Sequence, residues 1–189
     1  MRPWEIIQKL ETDNSRLFKE SVVAENISDS EFKTGLQYAL DSLVTFGVQQ
    51  VPFSENDGGG LLIEEFYEVA DKLIARELTG NAARDAIEKL SITANCDEWN
   101  DWYRRILIKD LRCGVSVKTV NGVAKGTVPV FGCMLAHDGA KHPKKIKGEC
   151  LVEYKYDGVR VIAIVQNGSA TLYSRNGKLL SNFPHIEEA

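Results

Sequence analysis

Apolar residues recur every three or four positions through much of the first 120 residues, a spacing typical of amphipathic α-helices. The first apolar face comprises Trp4, Ile6, Ile7, Leu10, Leu17 and Phe18. Asp29-Ser30-Glu31-Phe32 has the acidic residues of a helix start. A second face follows, with Leu36, Leu40, Leu43, Val44 and Phe46 before Gly47. The pattern predicts that about the first 45 residues are helical.

Turn-forming residues interrupt this pattern between Val48 and Gly60. The segment contains Pro52, Asn56-Asp57 and Gly58-Gly59-Gly60, which together predict a flexible loop. A triple glycine is able to surround a phosphate, but no Gly-Lys-Ser/Thr follows to make a P-loop. We therefore favour a linker over a phosphate site here.

Helical spacing returns between Leu61 and Thr79. The apolar positions are Leu62, Phe66, Val69, Leu73, Ile74 and Leu78. Gly80 is predicted to close this helix as a C-cap, and Asn81-Ala82-Ala83 to open the next. Free N–H groups at a Gly-Asn helix start are able to bind phosphate. An ordinary turn in a helical bundle explains the same residues.

A further helix is predicted from Asp97, with apolar positions at Trp102, Ile106, Leu107 and Leu111. Its polar positions include Arg104, Arg105, Lys109 and Arg112. Gly114 is predicted to end it, and Ser116 to cap the next helix, with Lys118 and Thr119 in the first turn. The basic side chains form either a solvated face or, with this free helix N-terminus, a grip on phosphate and sugar.

The pattern changes after Gly126 towards short strands. The stretch from His137 to Gly148 is polar and basic, with Lys141, Lys144, Lys145 and Lys147. It is either a linker lying against a polyanion or a solvated linker.

The apolar run from Val161 to Val165 predicts a buried strand. Asn167-Gly168 predicts a two-residue hairpin joining the strand Val159–Val165 to Ala170–Ser174. Asn176-Gly177 predicts a second turn, and a short helix is expected at residues 185–188.

Reactive chemistry is indicated at Glu153-Tyr154-Lys155-Tyr156-Asp157-Gly158-Val159-Arg160. A lysine between apolar strands is partly desolvated, which favours its neutral amine. Arg160 adds a second positive charge and is suited to bind phosphate. Lys155 is therefore a candidate covalent nucleophile, although a surface lysine at a hairpin end is the simpler alternative.

Four segments in order resemble the ATP-dependent DNA ligases. The first two are Asp110-Leu111-Arg112-Cys113-Gly114-Val115-Ser116-x-Lys118-Thr119 and Met134-Leu135-Ala136. The other two are Glu153-x-Lys155-Tyr156-Asp157-Gly158-x-Arg160 and Tyr173-Ser174-Arg175-Asn176-Gly177. The resemblance begins near Leu78. It implies that Lys155 attacks the α-phosphate of ATP, and that AMP passes to the 5′-phosphate of a DNA nick before the 3′-hydroxyl seals it.

The same resemblance implies the roles of individual residues. Lys155 would be catalytic and would bind the nucleotide with Glu153, Arg160 and Arg175. Arg112, Ser116, Lys118, Asn81 and Arg175 would bind DNA. The implied cofactors are ATP and Mg²⁺, without assigned metal ligands, because the histidines and cysteines have no metal-ligand spacing. The implied partner is nicked double-stranded DNA, bound by a monomer in replication, repair or recombination.

The charge distribution agrees with a polyanion partner. The formal net charge is −4, but residues 101–160 contain 12 Lys and Arg against 6 Asp and Glu. A basic region in an acidic chain predicts where a phosphate backbone binds. No apolar stretch has the length of a membrane span, and the N-terminus lacks the apolar core of a signal peptide. We expect no membrane partner and a cytoplasmic location, in a nucleoid or a virus-infected cell.

Together these patterns predict an α+β chain. A helical DNA-binding domain covers residues 1–132, a linker 133–148, and the first antiparallel strands of an adenylation domain 149–189. Because family members have further motifs downstream, we expect the N-terminal part of a phage or viral type of ligase. Two alternatives stay open: a DNA-binding module without catalysis, and an RNA ligase or capping-type nucleotidyltransferase. The long helical segment before Lys155 argues against the latter.

Overall fold

The structure is a computed structural model that describes residues 1–133, 138–145, 147–154, 157–181 and 183–187. It divides into two compact units, Met1–Val130 and Phe131–Ala189. The described residues contain helices in both units and a two-stranded antiparallel sheet in the second. The α+β fold class is therefore confirmed.

The first unit is helical. Its helices are α1 (Pro3–Glu11), α2 (Arg16–Asn26), α3 (Ser30–Leu40), α4 (Ile63–Ile74), α5 (Gly80–Thr93), α6 (Cys96–Glu98), α7 (Arg104–Leu107) and α8 (Val117–Val123). A π-helical turn, Trp99–Tyr103, joins α6 to α7, and Arg104 N donates to Trp99 O. Side-chain oxygens of Ser15, Asp29, Asn95 and Ser116 cap four of these helices. The predicted starts at Asp29 and Ser116 are confirmed.

A continuous apolar core holds these helices together. The two tryptophans of the π-turn region are fully buried, in one cluster with apolar side chains of α1, α3 and α4. The Phe32 ring stacks on Trp102 at 5.7 Å, and the Phe66 ring lies 4.3 Å from Tyr103. Each such side chain contributes about 1.5–3 kcal/mol when fully buried. Helix α2 also packs against α8, and α3 against α7.

Two helix ends differ from the prediction. Helix α3 ends at Leu40 because Asp41 takes an extended conformation and its carboxylate accepts from Leu43 N at 2.8 Å. Phe46 is nevertheless buried, so a loop brings it to the core. Helix α4 ends at Ile74, and Arg76 adopts the left-handed conformation two residues later (φ 64°). Gly80 is also left-handed (φ 57°), but it begins α5 instead of closing α4.

Three further features of this unit differ from the prediction. The basic helix ends at Leu107, since Lys109 has φ 59°, and it does not continue to Leu111. The segment 48–60 is a loop, as predicted, but it is not flexible throughout, because side chains of the π-turn region bind its residues 52–54. Trp99 Nε1 donates to Pro52 O at 2.8 Å, and Asn100 Nδ2 donates to Ser54 O at 2.8 Å. Leu17, predicted to lie on an apolar face, is 76% exposed.

The second unit contains a β-hairpin. Strands β1 (Val161–Gln166) and β2 (Ser169–Ser174) pair in the register Val161 with Ser174 and Gln166 with Ser169. Asn167 and Gly168 both have positive φ, 53° and 78°, which matches the type I′ turn that Asn-Gly predicts. A further turn at Gly177 leads to a bridge between Tyr173 and Leu179. Helix α9 covers Pro184–Glu187.

Strand β1 is not the buried strand that its sequence predicts. Val165 is 67% exposed and Ile164 is 38% exposed. A two-stranded sheet has too few neighbouring elements to cover both of its faces. Leu172 on β2 is fully buried, and the ring of Phe131 lies 5.6 Å from that of Tyr173. Gly139–Lys141 and Pro143–Lys145 form single 3₁₀ turns.

Candidate nucleic-acid interface and nucleotide site

Three predicted DNA-binding residues of the first unit, Arg112, Ser116 and Lys118, lie in or just after a strained turn, residues 108–116, which we term the basic turn. Lys109, Arg112 and Gly114 all adopt positive φ there, at 59°, 55° and 68°. Two of the three are not glycine, and such a backbone persists only where the surrounding structure fixes it.

Buried cations supply that support. Lys19, 5% exposed, donates from Nζ to Cys113 O at 2.7 Å and to Asn14 Oδ1 at 3.1 Å. Arg105 Nη1 donates to Leu111 O at 2.9 Å, and the same guanidinium pairs with Glu11 and Asp101. Burial opposes the charge of Arg105, but its hydrogen bond and attraction to the two carboxylates raise its pKa. The basic turn is therefore held through its main-chain carbonyl groups.

The basic face predicted for the preceding helix is largely internal. Lys109 Nζ donates to Tyr38 O at 2.9 Å and to Asp41 O, and burial lowers its pKa. Arg105 and Lys109 therefore form neither a solvated face nor a surface that binds DNA. Their donor groups are occupied by carbonyl and carboxylate groups of the protein itself.

Other basic residues of this region do face outward. Arg112 is exposed, and its Nε lies 3.9 Å from Asp110 Oδ2, too far for a hydrogen bond. Ser116 is exposed, and its Oγ accepts from Thr119 N at 3.4 Å to cap α8. Lys118 is exposed on the first turn of α8. These three residues are thus accessible on one short stretch of chain.

Asn81 lies in a second accessible helix start. It is exposed in the first turn of α5, where Thr79 provides no side-chain cap and no acidic residue is present. Arg84 follows it by three residues and therefore neighbours it on the helix surface. Sequence reasoning missed Arg84, although its spacing from Asn81 was a usable signal.

A cavity of about 990 Å³ lies between α5, the loop 49–56 and the segment 104–112. We term it the arginine groove, because Arg84, Arg104 and Arg112 line it. It brings Arg112 into one site with the helix that begins beside Asn81. Ser116 and Lys118 are not among its lining residues.

The predicted nucleotide site of the second unit is described only in part. Lys155, Tyr156 and the segment Met134-Leu135-Ala136 lie outside the described residues. Glu153 is exposed and is not in a strand. Leu151 and Val152 are 93% and 95% exposed, so the apolar wall expected before Lys155 is not formed by these residues. Without strand neighbours they have nothing to pack against.

The hairpin places two predicted phosphate ligands at the same end. Arg160 directly precedes Val161, and Arg175 directly follows Ser174, the partner of Val161. Both arginines are exposed. The register thus brings together the backbone positions of two arginines that lie 15 positions apart in the sequence, on either side of the Asn-Gly turn.

Comparison with known proteins points to one family. Residues 133–189 match the family model described as the ATP dependent DNA ligase domain. DNA ligase of Enterobacteria phage T4 is 31% identical over 153 residues, which cover 78% of this chain and 30% of the phage protein. DNA ligase of Enterobacteria phage T6 gives the same values. This chain is a relative of the ATP-dependent DNA ligases.

Solved structures agree with this relationship. The structure named Pmar-Lig_Pre is 48% identical with a TM-score of 0.91, and the similarity covers 99% of this chain and 45% of that one. The structure named Pmar-Lig_PreS3 has a TM-score of 0.90 at 48% identity, with the same coverage. The chain therefore spans less than half the length of these ligase relatives. Among the described residues, none of the helices combines the length and the apolar character that a membrane crossing requires.

Proposed function

We propose that this chain acts in the ATP-dependent sealing of nicks in duplex DNA, with Lys155 as the residue that carries AMP. The observation that carries the proposal is the ligase-domain match over residues 133–189, which includes the whole segment from Glu153 to Arg175. The hairpin register supports it, because Arg160 and Arg175 lie at one end of the strand pair that follows Lys155.

In the proposed reaction, the Lys155 amine loses a proton and forms a bond to the α-phosphorus of ATP, while the bond to the β-phosphate breaks and pyrophosphate leaves. The AMP then moves to the 5′-phosphate at a nick. The 3′-hydroxyl attacks that phosphate, and AMP departs. Because phosphoryl transfer depends mainly on positioning and on cationic stabilisation, Arg160 and Arg175 have the appropriate chemistry. Mg²⁺ would contribute further positive charge.

We also propose that the first unit binds the duplex without reading its sequence. Arg112, Ser116 and Lys118 are accessible beside a capped helix start, and Asn81 lies at the uncapped start of α5. Side-chain and N–H donors of this kind bind phosphate and sugar rather than base edges. Since nicks occur in any sequence, such binding suits a role in replication, repair or recombination. The phage relatives favour action in a virus-infected cell.

Covalent labelling with α-labelled ATP and Mg²⁺ tests the enzymatic part. We expect little label on the 189-residue chain alone, and label on Lys155 when the chain is extended through the remaining ligase motifs. Lys155→Ala should abolish the label, while Lys147→Ala, a lysine in the basic segment, should retain it. Labelling that survives Lys155→Ala would defeat the assignment. Removal of Mg²⁺ by a chelator should suppress the label.

A DNA-binding module without catalysis is the second candidate, and the packing of the first unit as a separate compact body favours it. Nick sealing separates the two candidates. If the extended chain binds nicked duplex but never forms covalent AMP, the binding module is correct. If it adenylates itself and seals only RNA ends, the RNA ligase or capping alternative replaces both.

A further inference from the structure

The arginine groove contains a guanidinium group that is nearly buried and lacks an anionic partner. Arg104 is 8% exposed. Its Nε donates to Val51 O at 3.0 Å, and its guanidinium lies 3.7 Å from the centroid of the Phe53 ring. Within the part of the chain that the structure describes, its terminal nitrogens have neither a hydrogen bond nor an ion pair. These terminal nitrogens are not among the buried unpaired atoms of the described residues, so they remain accessible to an anion that enters the groove.

Two more arginines line the same groove and add to its positive charge. Burial first, and then the positive charges of Arg112 and Arg105, lower the pKa of Arg104. Arg84 lines the opposite side, from α5, and has no ion pair among the described residues. Two carboxylates, Glu55 and Glu88, also line the groove. Neither is paired with an arginine of the groove, so its lining contains three arginines against two carboxylates, and Arg112 also lies 3.9 Å from Asp110 outside the lining.

We propose that the arginine groove binds a phosphate group, with Arg104 as its fixed donor and Arg84 and Arg112 as flanking donors. A planar guanidinium matches phosphate with two parallel hydrogen bonds. Val51 O and the Phe53 ring already hold Arg104 in place, so little side-chain freedom is lost on binding.

The phosphate is assigned to the DNA backbone, and in this respect the inference rests on the proposed function. Arg112 lines the groove and is also one of the residues proposed to bind the duplex, so the groove adjoins the proposed DNA contacts. A free phosphate or nucleotide would satisfy the same chemistry. The experiment therefore includes a separate measurement for each source.

The first measurement titrates the full chain against a fluorescently labelled nicked duplex at several salt concentrations. Arg84→Gln should reduce the slope of log affinity against log salt by about 0.9. Arg104→Lys retains the charge but loses the planar fork, and should weaken binding about tenfold. Lys89→Gln removes one charge from an exposed position on α5 outside the groove, and should change neither quantity. Glu88→Gln should strengthen binding.

The second measurement follows the Arg104 Nε–H resonance by NMR while inorganic phosphate is added, against chloride at equal ionic strength. A phosphate-specific shift that is lost in Arg84→Gln supports the groove as a phosphate site. Equal unfolding curves for all variants show that the fold is intact.

The two measurements separate the inference from the proposed function. If the wild-type chain binds duplex, the groove variants bind equally well, and phosphate leaves Arg104 unchanged, then the groove proposal is overturned and DNA binding stands. If the wild-type chain does not bind duplex, the proposed DNA-binding function fails, and the phosphate titration alone decides the groove. An effect of phosphate without a variant effect on duplex binding assigns the site to a free phosphate or nucleotide.

Discussion

The two units of this chain have similar apolar sequence signals but bury them to very different extents. In Met1–Val130, residues such as Leu36 are completely buried. In Phe131–Ala189, Leu151 and Val152 are almost fully exposed, and among the described residues of that unit Leu172 is the one buried apolar side chain. Sequence periodicity sets local conformation in both units, whereas burial requires further elements that pack against that conformation.

The basic side chains of the two units also differ in how far they are exposed and in what they contact. In the first unit, Lys19, Arg105 and Lys109 donate to main-chain carbonyl groups. In the second unit, Lys141, Lys144 and Lys147 are exposed. A count of basic residues along the sequence therefore overstates the interface in the first unit, where part of the positive charge stabilises the fold itself.

The largest expected effect comes from truncating one leucine in each unit. Leu36→Ala should lower the free energy of unfolding by about 2–5 kcal/mol, because it opens a cavity in a closed core. Leu151→Ala should change it by less than about 0.5 kcal/mol, because that side chain is already in water. Urea unfolding followed by tryptophan fluorescence measures the first unit, since Trp4, Trp99 and Trp102 all belong to it, and amide hydrogen exchange of the hairpin measures the second. Equal losses of unfolding free energy in the two variants would contradict the proposed difference in burial between the two units.

A smaller effect is expected from exchanging one lysine in each unit for methionine. Lys19→Met should cost about 1–3 kcal/mol, because Cys113 O loses its buried donor. Lys178→Met, at an exposed position of the second unit, should be nearly neutral. The urea titration followed by tryptophan fluorescence measures Lys19→Met, and amide hydrogen exchange of the hairpin measures Lys178→Met. If Lys19→Met were as neutral as Lys178→Met, the carbonyl contact would not support the basic turn.

A matched pair of glycines tests the backbone separately from the side chains. Gly114→Ala and Gly168→Ala both place a side chain at positive φ, which costs about 1–2 kcal/mol. At Gly114 the added Cβ would also lie 2.4 Å from Lys19 Nζ, whereas at Gly168 no atom lies within 4 Å. In Gly114→Ala, amide hydrogen exchange should therefore become faster around residues 108–116 by more than the backbone cost alone predicts. In Gly168→Ala, exchange should become faster only at the end of the hairpin.

The smallest effect concerns the pH dependence of the packed unit. Burial raises the pKa of Glu31, and a hydrogen bond from Tyr103 partly opposes this. A raised pKa means that the fold prefers the neutral carboxyl, so this contribution is complete below the ordinary value of 4.5 and is lost as pH rises through the folded-state pKa. The stability of the wild-type chain relative to Glu31→Gln should therefore fall as pH rises above 4.5.

Tyr103→Phe provides the control for this titration. Removing the phenol hydroxyl eliminates the hydrogen bond that lowers the pKa of Glu31. The fall in folding stability with rising pH should therefore extend to higher pH in this variant. Unfolding measured between pH 4 and 8 would show it. Parallel curves for wild-type and Glu31→Gln chains would mean that Glu31 titrates normally in the folded protein.

Local features of the fold were predictable where a short sequence determines its own geometry. The caps at Asp29 and Ser116 and the Asn167-Gly168 turn depend on neighbouring residues alone, and all three are confirmed. The ends of α3 and α4 were not predictable from apolar spacing. Asp41 competes for backbone donors, and Phe46 continues the helical spacing although a loop carries it.

The candidate site was predictable in part. The motif from Glu153 to Arg160 is visible in the sequence, and the placement of Arg160 beside Arg175 follows from a hairpin register that the Asn-Gly turn implies. The arginine groove was not predictable. Arg84 and Arg104 are 20 positions apart, and no local rule indicates that the loop 49–56 packs between their helices.

The π-helical turn Trp99–Tyr103 has a consequence for how the two consecutive arginines that follow it are oriented. One additional residue in a turn shifts the angular phase of the following helix by about 100°. In this register Arg104 lines the groove, while Arg105 reaches Glu11 and Asp101. Shortening the turn by one residue would rotate both side chains away from these partners without changing either amino acid. The wide turn therefore determines which of the two guanidinium groups faces the arginine groove.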